Sequence, residues 1–547
     1  MLASGTGLVL ALAMSWPLVL HLRSEIGEDI GDPPFVVWQL AWIGHALLYQ
    51  PLHLFQANMS WPLADSLAFS DAPTGYAPMG LVAQLGPHAA LAVYNLLFLF
   101  AYTLAFAGTY LLARELGAEW FGAAIAGAAF AYAPWKLGQN GHLSVISSGG
   151  IPLAVFLLVH GYRRRSGWFV LAGWLVTGWQ MTLGFTLGLP LAYLLAVLAV
   201  LAARPLARRF RPWVSWQLVY ATVVGVYVFA SLTVLQALPY LRVIHAHSEA
   251  TRSRAEIASF SPPPVGFLAA PHESLVWSSV TAGIRNGAGL LGEQTLFPGA
   301  TITVLALAGL FGGTYSRRLR LGLGLGVLVC AVFSLGLSNP LGLSSYMPYR
   351  LLYEFAPGWN GVRTPGRINT LTSLGLALLA AAGASVALQG LRRTGRPWLQ
   401  DHGPLVLGAA LTGAILLEGV GPLPHPTVPQ ASPVIRSAAA PQLHLPLDFD
   451  HASLYSYWSI TGFPDTANSY GAFEPESVAK LETDLAHFPD APSVALLRRL
   501  GIRSVILHPG LARGTPWQDA AQAPVAGLGL VRTTAHDVIL FRITPLG

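Results

Sequence analysis

The chain has little charge, one cysteine and almost no lysine. Only 10% of its 547 residues are charged, against about 25% in an ordinary soluble domain. With 53% hydrophobic residues and a mean hydropathy of +0.53, that shortage excludes a soluble globular enzyme and a disordered chain alike. The single cysteine, Cys330, lies in an apolar run. It excludes an intrachain disulfide and a thiol-based metal site. No collagen-like period orders the 57 glycines and 40 prolines, so they fall inside or between apolar spans, where membrane helices tolerate them.

What is present is a series of long apolar runs. They lie near 5–22, 88–112, 120–134, 145–161, 167–183, 185–202, 214–239, 297–314, 319–337, 368–389 and 403–420. Each approaches the ~20 residues that cross a bilayer. The pattern predicts a polytopic α-helical membrane protein of about eleven transmembrane helices. The net charge of +6 is explained by where the arginines stand. They cluster at every second junction: Arg114; Arg163, Arg164 and Arg165; Arg204, Arg208, Arg209 and Arg211; Arg317, Arg318 and Arg320; Arg392, Arg393 and Arg396. The positive-inside rule makes these junctions cytoplasmic, with the N-terminus inside and the C-terminus outside. This placement gives no reason to expect a nucleic-acid partner. Residues 24–113 agree, with no Lys or Arg but six acids, Glu25, Glu28, Asp29, Asp32, Asp65 and Asp71. The first span has no basic flank and no clear cleavage site, so it reads as a retained helix.

Composition changes after residue 420. Pro422, Pro424, Pro426 and Pro429 mark a linker. Residues 1–420 carry 23 basic and 15 acidic side chains, and residues 421–547 carry 8 and 10. The tail, 421–547, reads as a small extracytoplasmic α/β domain. Leu443–Leu447, Ile502–His508 and Val538–Ile543 suit short strands. Pro475–Leu500 suits one or two helices ending at Gly501, with Arg498 and Arg499 in the last turn. The tail has no nucleophile elbow, phosphate loop or Cys/His metal spacing.

Polar chemistry concentrates in the outer loops 23–87, 241–296 and 338–367, and at one further helix end. In the first loop, Glu28-Asp29-Ile30-Gly31-Asp32 precedes Pro33 and Pro34, which suit a helix start. Trp38 and Trp42 lie one turn apart, the pattern of an amphipathic helix with its indoles at headgroup level. Asp29, Asp32 and Asp71 are then acids held near the outer bilayer surface, where acids serve function or simply decorate a solvated loop. Tyr132–His142 contains Lys136, the only lysine in residues 1–420. It either snorkels or neutralises a lipid phosphate. Gly292-Glu293-Gln294 and Arg363-Thr364-Pro365-Gly366-Arg367 complete the set. Arg363 and Arg367 are cations retained on the outer face, suited to lipid headgroups or to an anionic substrate.

These features together resemble the polytopic membrane glycosyltransferases of the GT-C superfamily. The likeness rests on Gly31-Asp32-Pro33 with Trp38 and Trp42, Pro134-Trp135-Lys136 with Gly141-His142, Gly292-Glu293, Arg363–Arg367 and the outward tail. The nearest look is to a poorly characterised bacterial branch. The resemblance implies sugar transfer from a polyprenyl-phosphate-linked donor to a glycan, lipid or protein acceptor, on the outer face of a bacterial cytoplasmic membrane. It places the catalytic acid at Asp32, with Asp29 beside it, and substrate contacts at Asp71, Lys136, His142, Glu293, Arg363, Arg367 and Trp38. Many relatives carry an Asp-x-Asp or Asp-Glu pair in this loop, whereas Asp29 and Asp32 have two residues between them. No cofactor is assigned, and a divalent metal is left open. Two other readings stand beside the enzyme: a non-catalytic envelope scaffold of the same architecture, and a lipid or polysaccharide transporter. The transporter is disfavoured because the spans hold almost no acids, Glu418 excepted, and transport sites lie near the bilayer midplane.

Overall fold

In the computed structural model, residues 2–209, 215–338, 346–392, 397–535 and 537–545 are described. Arg211, Arg393 and Arg396 of the basic clusters lie outside the described residues. So does part of the loop 338–367. Each of the eleven apolar runs falls on a helix. Among the described residues, five helices are long and apolar enough to cross a membrane: Pro87–Leu116, Leu143–Arg164, Phe185–Ala202, Trp216–Ala246 and Pro365–Leu391. Leu2–Met14, Trp120–Ala131, Ala300–Phe311 and His402–Glu418 are apolar but shorter. At 1.5 Å per residue, a 12-residue helix covers about 18 Å, less than the hydrocarbon thickness. The expected count of about eleven spans is not confirmed: helices lie at each run, and five of them are long and apolar enough to cross a membrane.

The chain forms two compact units. The first comprises Met1–Val19, Leu97–Leu235 and Arg252–Leu423; the second comprises Leu20–Leu96, Gln236–Thr251 and Pro424–Gly547.

In the first unit, the helix Asn369–Arg392 packs against Ala300–Phe311, Trp120–Ala131 and Arg317–Ser334. Small residues let the backbones touch. A Cβ at Gly309 would collide with the Leu379 carbonyl, and one at Gly383 with the Leu305 carbonyl. This is the close approach that packs helices where lipid supplies no hydrophobic drive. The helix starting at Trp216 is mostly exposed, Trp216 itself at 85%, as a lipid-facing helix should be. The acid expected near the last span end has a structural job. The Glu418 carboxylate accepts the Ala300 N–H at 2.6 Å and the Thr301 N–H at 2.9 Å, capping two of the four unpaired amides at that helix start.

The second unit centres on a four-stranded sheet: β1 (Gln442–Leu445), β2 (Ser504–Leu507), β3 (Leu530–Ala535) and β4 (Val538–Ile543). Its order is β1-β2-β4-β3, with β1 and β2 parallel and the other pairs antiparallel. The helices Glu476–Asp484 and Ala491–Arg499 help close its core, through Leu481, Val494 and Leu497 packed with Val505 and Phe541. The helix Phe449–Ser459 has no counterpart in the sequence reading. Its residues Ala452–Ser459 are all buried, so no solvent face interrupts the pattern to announce a period.

The tail is not a unit of its own in this structure. Glu28 N–H donates to the Pro424 carbonyl at 2.8 Å, and Ile26 N–H to the Pro426 carbonyl at 3.2 Å. Prolines lack an N–H but keep a carbonyl, so the linker still pairs as an acceptor edge. The helix Asp32–Tyr49 packs against Phe449–Ser459 and against Ala77–Ala83. At the second crossing, Gly44 and Gly80 meet with no room for a Cβ.

Candidate functional site

Two clusters of the expected residues form, one in each unit. In the second unit, Asp32 opens the helix Asp32–Tyr49, and Pro33 and Pro34 start it without needing amide partners. The Tyr470 hydroxyl donates to Asp32 Oδ1. Tyr470 is itself held by the rings of Phe35, at 5.0 Å between centroids, and Phe449, at 4.6 Å. Asp29 is exposed and turned onto its own loop, where Oδ1 accepts the Gly31 N–H at 2.8 Å. The backbone carbonyl of Asp71 accepts from Gln39 Nε2 at 3.1 Å.

Trp38 departs from the expected headgroup position. It is fully buried, and its indole N–H donates to Asn58 Oδ1 at 3.0 Å. Trp42 is buried too, donating to the Leu54 carbonyl at 2.9 Å. An i, i+4 tryptophan pair fits a membrane interface and a protein interior equally well, and here the helix is covered by protein. Asn58 in turn donates to Ser459 Oγ at 3.1 Å and to the Pro464 carbonyl at 2.8 Å.

In the first unit, three short 3₁₀ turns meet: Pro134–Gln139, Gly292–Gln294 and Pro365–Ile368. They bring Gln139, His142, Glu293 and Arg367 together. Arg367 forms an ion pair with Glu293. Gln139 Nε2 donates to the same carboxylate at 3.2 Å, and His142 Nε2 lies 3.6 Å away. Burial alone would raise the Glu293 carboxyl, but Arg367, His142 and Gln139 hold it below its ordinary value. Arg363 stands with its guanidinium 4.7 Å over the Phe260 ring. Burial pulls Arg363 down, and the neighbouring Arg252 and Arg367 add to it.

Lys136 is buried in a different setting. Nζ donates to Ser148 Oγ at 2.9 Å and lies 4.4 Å from the Phe130 ring centre. Among the described residues no carboxylate pairs with it. Burial therefore pushes its ammonium down to about 7. It lines a small pocket with Tyr102, Tyr132 and Asn140.

Sequence reasoning missed two partners. Arg242 grips Asp65 bidentately, at 2.7 and 2.8 Å, across 177 positions of chain that no local pattern connects. Tyr470 sits in Asn468-Ser469-Tyr470-Gly471, a stretch with no chemical signature. Among the described residues, no three His, Cys, Asp or Glu side chains gather as a metal site requires.

The fold and its apolar helices define a multi-pass membrane protein with acid-bearing and cation-bearing loops. It has a GT-C-like fold. No family model matches the chain, and no curated protein matches it. Among solved structures it is similar to the arabinofuranosyltransferase AftD from Mycobacteria. The identity is 14% and the TM-score 0.60, over 100% of this chain and 40% of that one. The chain thus spans about two fifths of that structure's length, and the likeness shows the fold. Weaker likenesses, which carry no argument, are to the oligosaccharyltransferase AglB from Archaeoglobus fulgidus and to ArnT from Cupriavidus metallidurans bound to undecaprenyl phosphate. The first has 12% identity and a TM-score of 0.48 over 99% of this chain and 74% of that one. The second has 14% and 0.38 over 100% and 99%.

Proposed function

We propose that the protein is a membrane glycosyltransferase. It moves a sugar from a polyprenyl-phosphate-linked donor to an acceptor on the outer face of the bacterial cytoplasmic membrane. The observation that carries this reading is the state of Asp32. Its carboxylate opens a helix at the end of the acid-bearing loop, is half-buried, and accepts the Tyr470 hydroxyl. A partly desolvated carboxylate is a better general base than a fully solvated one.

In this reaction Asp32 takes the proton of the acceptor hydroxyl as that oxygen attacks the anomeric carbon. The bond from the anomeric carbon to the phosphate oxygen breaks, and the electron pair leaves with the lipid phosphate. A single displacement inverts the anomeric configuration. Lys136, Arg363 and Arg367 are the candidate cations for the phosphate. Glu293 and His142 position Arg367, and Asp29 fixes the turn that presents Asp32. Apolar helices hold the polyprenyl chain, each buried CH₂ contributing about 0.8 kcal/mol. The scaffold reading lacks a reason for the buried Lys136, whose charge costs free energy unless an anion meets it.

The test is transfer by the purified protein in lipid nanodiscs, with a panel of polyprenyl-phosphate sugars. Wild type should consume a donor and invert its anomeric centre, and Asp32→Asn should not. Turnover by a well-folded Asp32→Asn protein at the wild-type rate would remove Asp32 as base. Failure to bind any lipid phosphate would favour the scaffold.

A further inference from the structure

In the second unit, the side of β1 that faces away from β2 is covered by the segment 465–470. Pairing starts between backbones. The Gln442 N–H donates to the Asp465 carbonyl at 2.8 Å, and the Ala467 N–H donates to the Gln442 carbonyl at 2.8 Å. Two residues along β1, at His444, the ladder passes to a side chain. Asn468 Oδ1 accepts the His444 N–H at 2.7 Å, and Asn468 Nδ2 donates to the His444 carbonyl at 2.9 Å. A carboxamide carries the same donor and acceptor as a peptide unit. Asn468, only 3% exposed, therefore satisfies the strand edge while its own backbone is released from it. That backbone turns to the first outer loop. The Asn468 carbonyl accepts the Ser60 N–H at 2.9 Å, the Thr466 carbonyl accepts the Trp61 N–H at 2.8 Å, and the Ser60 hydroxyl donates to Ser469 Oγ at 2.8 Å. Two residues beyond Asn468, the Tyr470 hydroxyl reaches Asp32. Two residues of chain span at most about 7 Å, so little slack separates the anchor from the phenol.

We propose that Asn468 is a positioning residue for the base: it turns the tail out of its sheet and fixes where the Tyr470 hydroxyl meets Asp32. The inference rests on the glycosyltransferase reading and gives the tail domain a part in it. Asn468 acts through Tyr470 and touches neither donor nor acceptor. Asn468→Ala leaves the His444 N–H and carbonyl without partners, which buried backbone groups tolerate poorly. The segment then shifts to satisfy them and carries the phenol off the carboxylate. Only a side chain with both a donor and an acceptor closes this edge. Ser469 has a narrower part, because its hydroxyl ties the same segment to Ser60 and leaves the sheet edge alone.

The experiment uses the full chain in nanodiscs and has two readouts. The first needs no turnover: the Asp32 carboxylate stretch, followed by infrared spectroscopy with isotope-labelled aspartate and assigned by its loss in Asp32→Asn. Tyr470→Phe sets the shift expected when the phenol is removed. Asn468→Ala should reproduce most of that shift, and Ser469→Ala a smaller part of it. The second readout is transfer. Asn468→Ala should lower kcat several-fold, with both KM values held within about twofold. In the Tyr470→Phe background the same change should cost less than about twofold, because residues acting as one unit are not additive. A merely structural asparagine would leave the Asp32 band in place and give additive losses. An unshifted band in both folded variants overturns the proposal, as does a full rate loss in the Tyr470→Phe background. If Asn468→Ala does not fold, the band in Ser469→Ala decides. The two readings fail separately. A shifted band with no donor consumed keeps the positioning link and removes the enzyme. Transfer with an unshifted band keeps the enzyme and removes the role of Asn468.

Discussion

Asp32 and Glu293 are carboxylates in similar-looking loop sequences, each beside a glycine, and they meet different side chains. Glu293 is surrounded by Arg367, His142 and Gln139. Asp32 meets the hydroxyl of Tyr470. A carboxylate saturated by cations is a fixture that sets the direction of its partners. A carboxylate that accepts a phenol hydroxyl at a helix start is the candidate to meet an acceptor hydroxyl.

The comparison breaks first on rate. Asp32→Asn should lower transfer by about 100-fold or more, the range of a lost general base, while the thermal midpoint stays near wild type. Equal rate loss from Glu293→Gln, with no change in midpoint, would erase the distinction. Next comes stability. Glu293→Gln removes the Arg367 ion pair and should cost about 3 kcal/mol, read as a lower unfolding midpoint in detergent titration. Tyr470→Phe removes one hydrogen bond to a carboxylate and should slow transfer several-fold, by about 1.5 kcal/mol or less.

Lys136 sharpens the same contrast through pH. Its folded value near 7 lies below the ordinary lysine value, so the unfolded state holds the extra proton between about 7 and 10.4. The Lys136 contribution to stability therefore rises with pH across that window. A phosphate bound there favours the ammonium form, so lipid-phosphate affinity should fall as pH climbs above 7. Lys136→Met should flatten that dependence in a fluorescence binding titration. The smallest effect is expected at Asp65. Arg242 is 59% exposed in that pair, and Asp65→Asn should cost less than about 1 kcal/mol. A larger loss would mean the pair closes the loop against more than water.

Much of the fold was legible. Apolar length located eleven helices, and alternation with flanking turns located three of the four strands. β3 escaped because Leu530-Val531-Arg532-Thr533-Thr534-Ala535 is exposed over most of its length and has no buried face to mark it. The structure brings Gln139, His142, Glu293 and Arg367 of the cation loops together. Their pairing was not legible. Glu293 and Arg367 are 74 positions apart, and Asp32 and Tyr470 are 438 apart. Such pairings depend on the packed chain and leave no trace in local spacing. Trp38 shows the converse: its spacing was read correctly as helical, but spacing does not say whether lipid or protein covers the face.

The cap that Glu418 places on Ala300 and Thr301 has a consequence for biogenesis. Those amides wait for an acceptor that the ribosome adds more than a hundred residues later. Until then the start of the short apolar helix Ala300–Phe311 lacks that cap, and its final seat is set only when the segment carrying Glu418 arrives. Truncation upstream of residue 418 should therefore leave that segment loosely inserted and open to quality-control proteolysis.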